Sequence, residues 1–379
     1  MANVRQTKKV ESKPRNGIGR RELLIQHLKS IAKDVENTET LANAPDVSRY
    51  VPTLFPSFNR AIQLGGAPVR CLWLVHGPTE EGKSTFCAGL VASFQRLGHL
   101  TAYIDAEHGV LSKTWFSQLG VDPSLLLFEQ PDFLEDAVNK VDQWVTKFDE
   151  LKEQDPDLCF IIILDSLSKF TPRSEFERFQ KDGAEAMDKG LARFRGLYLQ
   201  TWLDHLTPII GKRDIALVCI GQERVTKQDA KVWEKDYRIK GCQGAGFDAS
   251  VRFRVQFGEK IKIGGSKKMI NGQQRTVGAM VVGQAHRIWV FKNRVGYPNE
   301  MGTFYTSNGQ GPIPIGFDYG REILDEGVKQ GIIQKAGAWY AYNGERLGQG
   351  EANAALALQD PTISDEIRNA IATQLQRNK

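Results

Sequence analysis

CLWLVHGPTEEGKST, residues Cys71 to Thr85, passes from a short apolar run into a glycine loop that ends in lysine, serine and threonine. The pattern predicts a buried strand, a phosphate-binding loop and the start of a helix. Gly77 and Gly82 bracket four residues and are followed by Lys83 and Ser84, so G-x-x-x-x-G-K-[ST] is complete. Glycine lets successive backbone N–H groups turn inward to cradle phosphate oxygens, and the helix that follows adds its positive N-terminal end. The candidate cradle is Gly77, Pro78, Thr79, Glu80, Glu81, Gly82, Lys83, Ser84 and Thr85. In it Lys83 can reach the β/γ-phosphates of a nucleotide and the Ser84 hydroxyl can take a place on Mg²⁺.

The surrounding chain suits such a loop. Its 379 residues are 41% hydrophobic and 25% charged, an ordinary globular balance with room for two or three domains. A net charge of +5 permits a polyanionic partner without demanding one. Cys71, Cys87, Cys159, Cys219 and Cys242 lie far apart, several inside apolar runs, and read as buried small hydrophobes of a reducing compartment. The N-terminus is cationic but has no apolar core segment, and no window approaches the length of a membrane span, so a cytoplasmic protein without a membrane partner is expected.

Residues Met1 to Arg21 carry seven Lys/Arg against one Glu and read as a flexible basic arm. Leu23, Leu24, His27, Leu28 and Ile31 then recur at helical spacing, which predicts an amphipathic helix from Arg20 to Val35 that needs a surface to pack on. After a proline-rich lead-in with a short helix at Ser57 to Gln63, strands are expected at Leu100–Asp105, Leu158–Asp165, Asp214–Gln222, Ser250–Phe257 and Ile288–Asn293. Apolar runs of this kind, separated by helical patterns, predict a mostly parallel sheet covered on both faces. Residues 309–316 read as a hinge, followed by a helix at Tyr319 to Ile333, a strand at Ala338 to Tyr342 turning at Asn343-Gly344, and a last helix at Ser364 to Gln376. The expected division is 1–44, a basic arm and packing helix; 45–315, an α/β nucleotide-binding core; and 316–379, a small α/β domain.

Beyond the loop, Asp165 closes an apolar strand where a metal-side carboxylate belongs, although an Asp there also suits a helix N-cap. Asp105 and Glu107 stand just past another strand end, at the edge where ligands of open α/β sheets sit, and a carboxylate there can polarise water toward the γ-phosphate. Gln222 ends a further strand, where its amide can sense the γ-phosphate. The segment Glu223 to Lys240 holds six basic residues against four acidic ones, with Trp233 and Tyr237. That mixture suits single-stranded nucleic acid, and equally a solvated loop. The segment Pro172 to Lys189 mixes Arg173, Arg178, Lys181 and Lys189 with five acids, and its charge alone argues for nothing.

Taken together, these residues resemble the bacterial RecA recombinase family, including its phage-encoded members. The runs that carry the resemblance are GPTEEGKST (77–85), YIDAEH (103–108), LGVDPSLLLFEQPD (119–132), IIILDSLSKFTP (161–172), FDASVRF (247–253), FKNRVG (291–296) and KAGAWYAYNGERLGQGEANA (335–354). The last run belongs to the family's C-terminal domain and not to phosphate-loop proteins at large. The resemblance implies a RecA-type phosphate-loop ATPase core, an N-terminal helix for subunit packing and a small C-terminal domain. It implies an ATP-dependent, Mg²⁺-dependent recombinase that forms a helical homo-filament on single-stranded DNA, pairs it with homologous duplex DNA and exchanges strands.

Position by position, Glu107 matches the family's catalytic glutamate, Asp165 its Mg²⁺-side aspartate, and Gln222 the glutamine that couples the γ-phosphate to a DNA-binding loop. Trp115 falls where an aromatic stacks on adenine. Lys292 and Arg294 match two lysines that reach across a subunit interface to a neighbour's ATP, with Phe247 transmitting the nucleotide state across it. The DNA-contacting set implied is Arg224, Lys227, Lys231, Lys235, Arg238 and Lys240, with Arg178 and Arg193 on the other loop. The departures are Arg294 for a lysine, Gly221 for an asparagine, Cys242 for a glycine, and a longer 258–284 segment that predicts an added hairpin. The chain ends at Lys379 without the acidic tail that competes with DNA, which predicts looser control of duplex binding. A DNA-coating filament without exchange and a hexameric helicase-like motor are the other readings left open.

Overall fold

The computed structural model describes residues 20–35, 49–109, 112–183, 191–225, 237–239, 244–270 and 273–377. The chain divides into two units, Met1–Val47 and Ser48–Lys379. In the first, α1 (Arg20–Asp34) occupies the expected helical stretch, and its apolar Leu23, Leu24, Leu28 and Ile31 are exposed.

In the second unit, β1 (Tyr50–Val51) pairs with β2 (Ala67–Pro68) around α2 (Pro56–Ala61). There follow β3 (Cys71–Gly77), α3 (Lys83–Arg96), β4 (Leu100–Asp105), α4 (Lys113–Gln118), β5 (Leu127–Glu129), α5 (Leu134–Gln154) and β6 (Phe160–Asp165). Next come α6 (Arg173–Asp182), α7 (Leu191–Ile210), β7 (Ile215–Val225), β8 (Tyr237–Ile239), α8 (Ala245–Asp248) and β9 (Val251–Ile263). A hairpin of β10 (Ser266–Ile270) and β11 (Gln273–Val277) leads to β12 (Met280–Asn293), β13 (Met301–Ser307) and β14 (Gly316–Phe317). The main sheet has the order β14-β13-β12-β9-β3-β7-β6-β4-β5, with β8 antiparallel to the end of β7. From β9 to β5 the strands are parallel, so β3, which carries the glycine loop, leaves the sheet from its interior.

The unbroken apolar runs have a simple cause. In β3, Cys71, Trp73 and Val75 enter one core while Leu72 and Leu74 enter another. Ala216, Val218 and Ile220 of β7, and Ile161 and Ile163 of β6, join the first, and their alternates join the second. A strand covered on both faces has no polar side, so its sequence shows no alternation. Cys71, Cys87, Cys159 and Cys219 are buried and outside any disulfide among the described residues, as expected, while Cys242 lies outside the described residues.

The structure corrects several boundaries and one orientation. The expected strand at Ile288–Asn293 is the far half of β12, which runs antiparallel to β9, as β13 does to β12. An apolar run reports burial but not direction, because direction depends on the connection between strands. The 258–284 segment is an antiparallel extension of β9 and β12 with the β10–β11 hairpin beyond it. The expected helix at Tyr319–Ile333 is α9 (Tyr319–Lys329), which stops before Gly331 in a left-handed conformation (φ 72°). Within 309–316, Gly316 already pairs in the main sheet, and Phe317 packs on Phe55 at 5.2 Å.

Beyond α9, β15 (Gln334–Ala336), β16 (Trp339–Tyr342) and β17 (Glu345–Gln349) form a small antiparallel sheet, followed by α10 (Glu351–Ala357) and α11 (Pro361–Arg377). Asn343 (φ 49°) and Gly344 (φ 84°) supply the two positive angles that the tight β16–β17 turn requires. Ile323, Leu324, Ile333, Tyr340, Leu358, Ile367 and Ile371 form this region's own core. Glu322 of α9 is buried and accepts hydrogen bonds from the Ser57 N–H (3.3 Å) and hydroxyl (3.1 Å), and burial pushes its carboxyl well above the usual range. Glu326 accepts from Arg60 at 2.8 Å.

A helix-interior glycine normally costs stability relative to alanine. At Gly89 of α3 the sign should reverse, because a Cβ there would stand 2.3 Å from Phe55 Cζ and 2.8 Å from Phe317 Cζ, between two rings that pack on each other. Gly89→Ala should lower the unfolding free energy by about 1–3 kcal/mol; denaturant titration measures it, and a stabilised variant would contradict this packing.

Candidate nucleotide-binding site

Both motif glycines are forced by their surroundings. At Gly77 a Cβ would stand 2.2 Å from the Val255 carbonyl oxygen of β9. Gly82 is left-handed (φ 95°), and a Cβ there would stand 2.5 Å from His286 Nδ1. Gly82 is also the N-cap of α3 and offers no side-chain acceptor, which leaves the first-turn N–H groups for an anion.

Lys83 is buried, its Nζ 2.5 Å from the Pro78 carbonyl. Burial pulls its pKa down, against the pull of Asp165, Glu107, Glu223 and Glu81, and no ion pair to it forms among the described residues. A phosphate supplies the anion this lysine lacks, so the residues present fit a nucleotide. Asp165 ends β6 and accepts from the Ser84 and Tyr103 hydroxyls, each at 2.6 Å. Burial pushes its carboxyl up to about 6, and those two hydrogen bonds oppose the rise.

Asp105 and Glu107 separate into different tasks. Asp105 is buried and anchors the turn, accepting from the Glu107 N–H (3.0 Å) and the Gln130 amide (2.9 Å). Glu107 is exposed beyond it, where its Oε1 accepts from the Ser166 hydroxyl (2.6 Å) and from Gln222 Nε2 (3.1 Å). A cavity of about 700 Å³ brings together Thr79, Glu80, Gly82, Lys83, Ser84, Thr85, Glu107, Trp115, Asp165 and Gln222. Gly77, Pro78 and Glu81 are not in its lining. The Glu81 carboxylate instead accepts from the Phe257 backbone N–H.

Lys292 and Arg294 also lie outside this cavity, Lys292 with its Nζ 3.5 Å from the Gly246 carbonyl. Lys227, Lys231, Lys235 and Lys240 lie outside the described residues. Arg224 and Arg238 are paired through their backbones in β7 and β8, Arg178 is exposed on α6, and Arg193 and Phe247 lie in α7 and α8.

Sequence reasoning missed four groups around the cavity. Tyr103 and Ser166 position the two carboxylates, although Tyr103 lies inside a quoted run and its hydroxyl gave no signal. His286 and Thr306 line the far wall from β12 and β13. Behind Gln222, Glu223 accepts from Arg254 (2.7 Å) and contacts His76 Nδ1 (3.1 Å), while Arg252 Nε approaches His76 Nε2 at 3.0 Å. No linear spacing brings these residues together, since they come from β3, β7 and β9.

Fold and cavity define an α/β phosphate-loop protein with an open sheet and a small C-terminal α/β appendage. Residues 40–311 match the family model described as the RecA N-terminal domain, and residues 321–376 the one described as the RecA C-terminal domain. Protein RecA of Allorhizobium ampelinum is 31% identical over 316 residues, covering 83% of this chain and 77% of that one. Protein RecA of Desulforapulum autotrophicum is 31% identical over 320 residues (84% and 81%), and that of Brucella anthropi 30% over 337 residues (89% and 82%). The chain belongs to the RecA family.

His76 gives a pH prediction. Its Nε2 accepts from Arg252, so the neutral ring donates from Nδ1 to Glu223, and burial lowers its pKa from 6.5 to about 4 despite the pull of Glu223. Between those values the unfolded chain binds the proton and the folded one does not, so stability falls as pH falls through the window. His76→Gln should remove up to about 3 kcal/mol of that loss. Urea unfolding of both proteins at pH 7 and pH 4.5 measures the difference, and parallel declines would refute the assignment.

Proposed function

We propose that this chain is a DNA-dependent ATPase that assembles as a filament on single-stranded DNA, pairs it with homologous duplex and exchanges strands. The observation that carries the reading is the hydrogen bond between Gln222 and Glu107 at the mouth of the cavity. Gln222 lies on β7, which runs into the basic segment 223–240, so the residue that hydrogen-bonds the hydrolytic carboxylate adjoins the candidate DNA-contacting residues in the chain. Membership of the RecA family supports the same reading.

In this proposal ATP with Mg²⁺ supplies the phosphoryl group that is transferred. The residues of the chain divide the remaining work. Lys83 and the N–H groups at the start of α3 hold the phosphates. Ser84 and Asp165 stand where a Mg²⁺ shell forms, and no group of three or more His, Cys, Asp or Glu gathers for a metal among the described residues. Glu107 accepts a proton from the attacking water, with Ser166 and Gln222 fixing its Oε1. Trp115 supplies a ring wall for the base. Lys292 and Arg294 act on a neighbour's site, where a cation offsets charge on the transferring group. Their position outside the chain's own cavity supports that role. No described helix is long and apolar enough to cross a membrane.

Lys83→Ala should abolish ATP binding, read by nucleotide titration, and normal binding would overturn the phosphate-loop assignment. Lys292→Ala should leave binding by the isolated chain within about twofold of wild type while removing most DNA-stimulated turnover, since the charge acts in the transition state. Circular single-stranded DNA, homologous linear duplex and ATP should yield joint molecules. Filaments that turn over ATP without forming joints would favour a coating filament instead.

A further inference from the structure

His286, on β12, is the best-defined group at the cavity that neither the loop motif nor the proposed mechanism uses. Its side chain is buried, with the ring lying parallel to Phe304 (centroids 4.4 Å apart, 3° between planes) and Phe257 edge-on at 5.3 Å. Nδ1 is 3.1 Å from the Glu81 carbonyl oxygen, and Nε2 is 3.0 Å from Thr306 Oγ1. A carbonyl only accepts, so Nδ1 carries the proton, and in the neutral ring Nε2 accepts from the Thr306 hydroxyl. The same loop residue is held a second time, through its carboxylate, by the Phe257 N–H. The β9–β12 hairpin therefore grips the phosphate loop at Glu81 by both main chain and side chain.

The consequence follows from peptide geometry. Across the planar trans bond between Glu81 and Gly82, the C=O and the N–H point in opposite directions. With the Glu81 carbonyl anchored on His286, the Gly82 N–H is directed away from the His286 ring, and Gly82 lines the cavity. Glycine at 82 tolerates either sign of φ, so its own stereochemistry does little to prevent this peptide from flipping and presenting a carbonyl to the phosphate. We propose that His286 is a positioning residue that holds the 81–82 peptide so that the Gly82 N–H meets phosphate, with Thr306 fixing the imidazole tautomer. The proposal rests on reading the cavity as a nucleotide site.

The test measures ATP and AMP affinity by displacement of a fluorescent nucleotide, together with the thermal midpoint of the free protein, for wild type, His286→Phe and His286→Asn. The Phe variant keeps a ring for stacking but lacks the N–H, and should bind ATP about tenfold more weakly while AMP, lacking the β- and γ-phosphates, changes less than about twofold. Asn restores a donor near the Nδ1 position and should recover ATP affinity to within about threefold of wild type. ATP affinity unchanged in the Phe variant, equal loss of ATP and AMP, or no recovery with Asn would each overturn the proposal. Should the Phe variant not fold, Thr306→Val carries the test: ATP weakened about threefold with AMP unchanged supports the proposal, and unchanged ATP affinity overturns it. A wild-type chain that fails to bind ATP overturns the nucleotide reading itself, a result separate from any of these.

Discussion

The burial of β3 between β9 and β7 is the constraint on which the rest of the molecule depends. A strand flanked on both sides and covered on both faces is open only at its two ends, and the glycine loop emerges from the C-terminal one. β6 and β4 end at the same edge because they are parallel to it, which brings Asp165 and Glu107 to the loop without any direct link in sequence. β9 passes so close that the Val255 carbonyl occupies the space of a Cβ at Gly77. The first motif glycine is thus fixed by its neighbouring strand as much as by any ligand.

Charge in this region is arranged so that burial is tolerated only with partners. Glu223, His76, Arg252 and Arg254 form a linked set in which the carboxylate faces a guanidinium and a neutral imidazole. Asp165 is held by two hydroxyls and sits close enough to its ionisation point for its surroundings to decide its state. Lys83 has a carbonyl and no ion pair among the described residues, the condition expected of a cation that waits for a ligand. The contrast separates groups whose partners are built in from groups whose partner arrives.

The small C-terminal region meets the core through polar contacts as well as aromatic ones. Glu322 and Glu326 of α9 reach Ser57 and Arg60 of α2, beside the Phe55–Phe317 contact. Its own core is small, and its sheet is antiparallel and local, closed by a turn that Asn343 and Gly344 shape almost alone.

Those local features were the legible ones. The phosphate-loop spacing, the Asn343-Gly344 turn, the apolar runs of β3, β4, β6 and β7, and the outer strand ends near Asp165, Glu107 and Gln222 are short-range patterns, so the sequence by itself determined them. The direction of β12, the pairing of Gly316 into the main sheet, and the meeting of His286 with Glu81 and of His76 with Glu223 were decided only by the tertiary structure. Each depends on which strands come to lie side by side, from Ser307 and Gly316 within one stretch of chain to Glu81 and His286, 205 positions apart, and chain spacing carries no information about that choice.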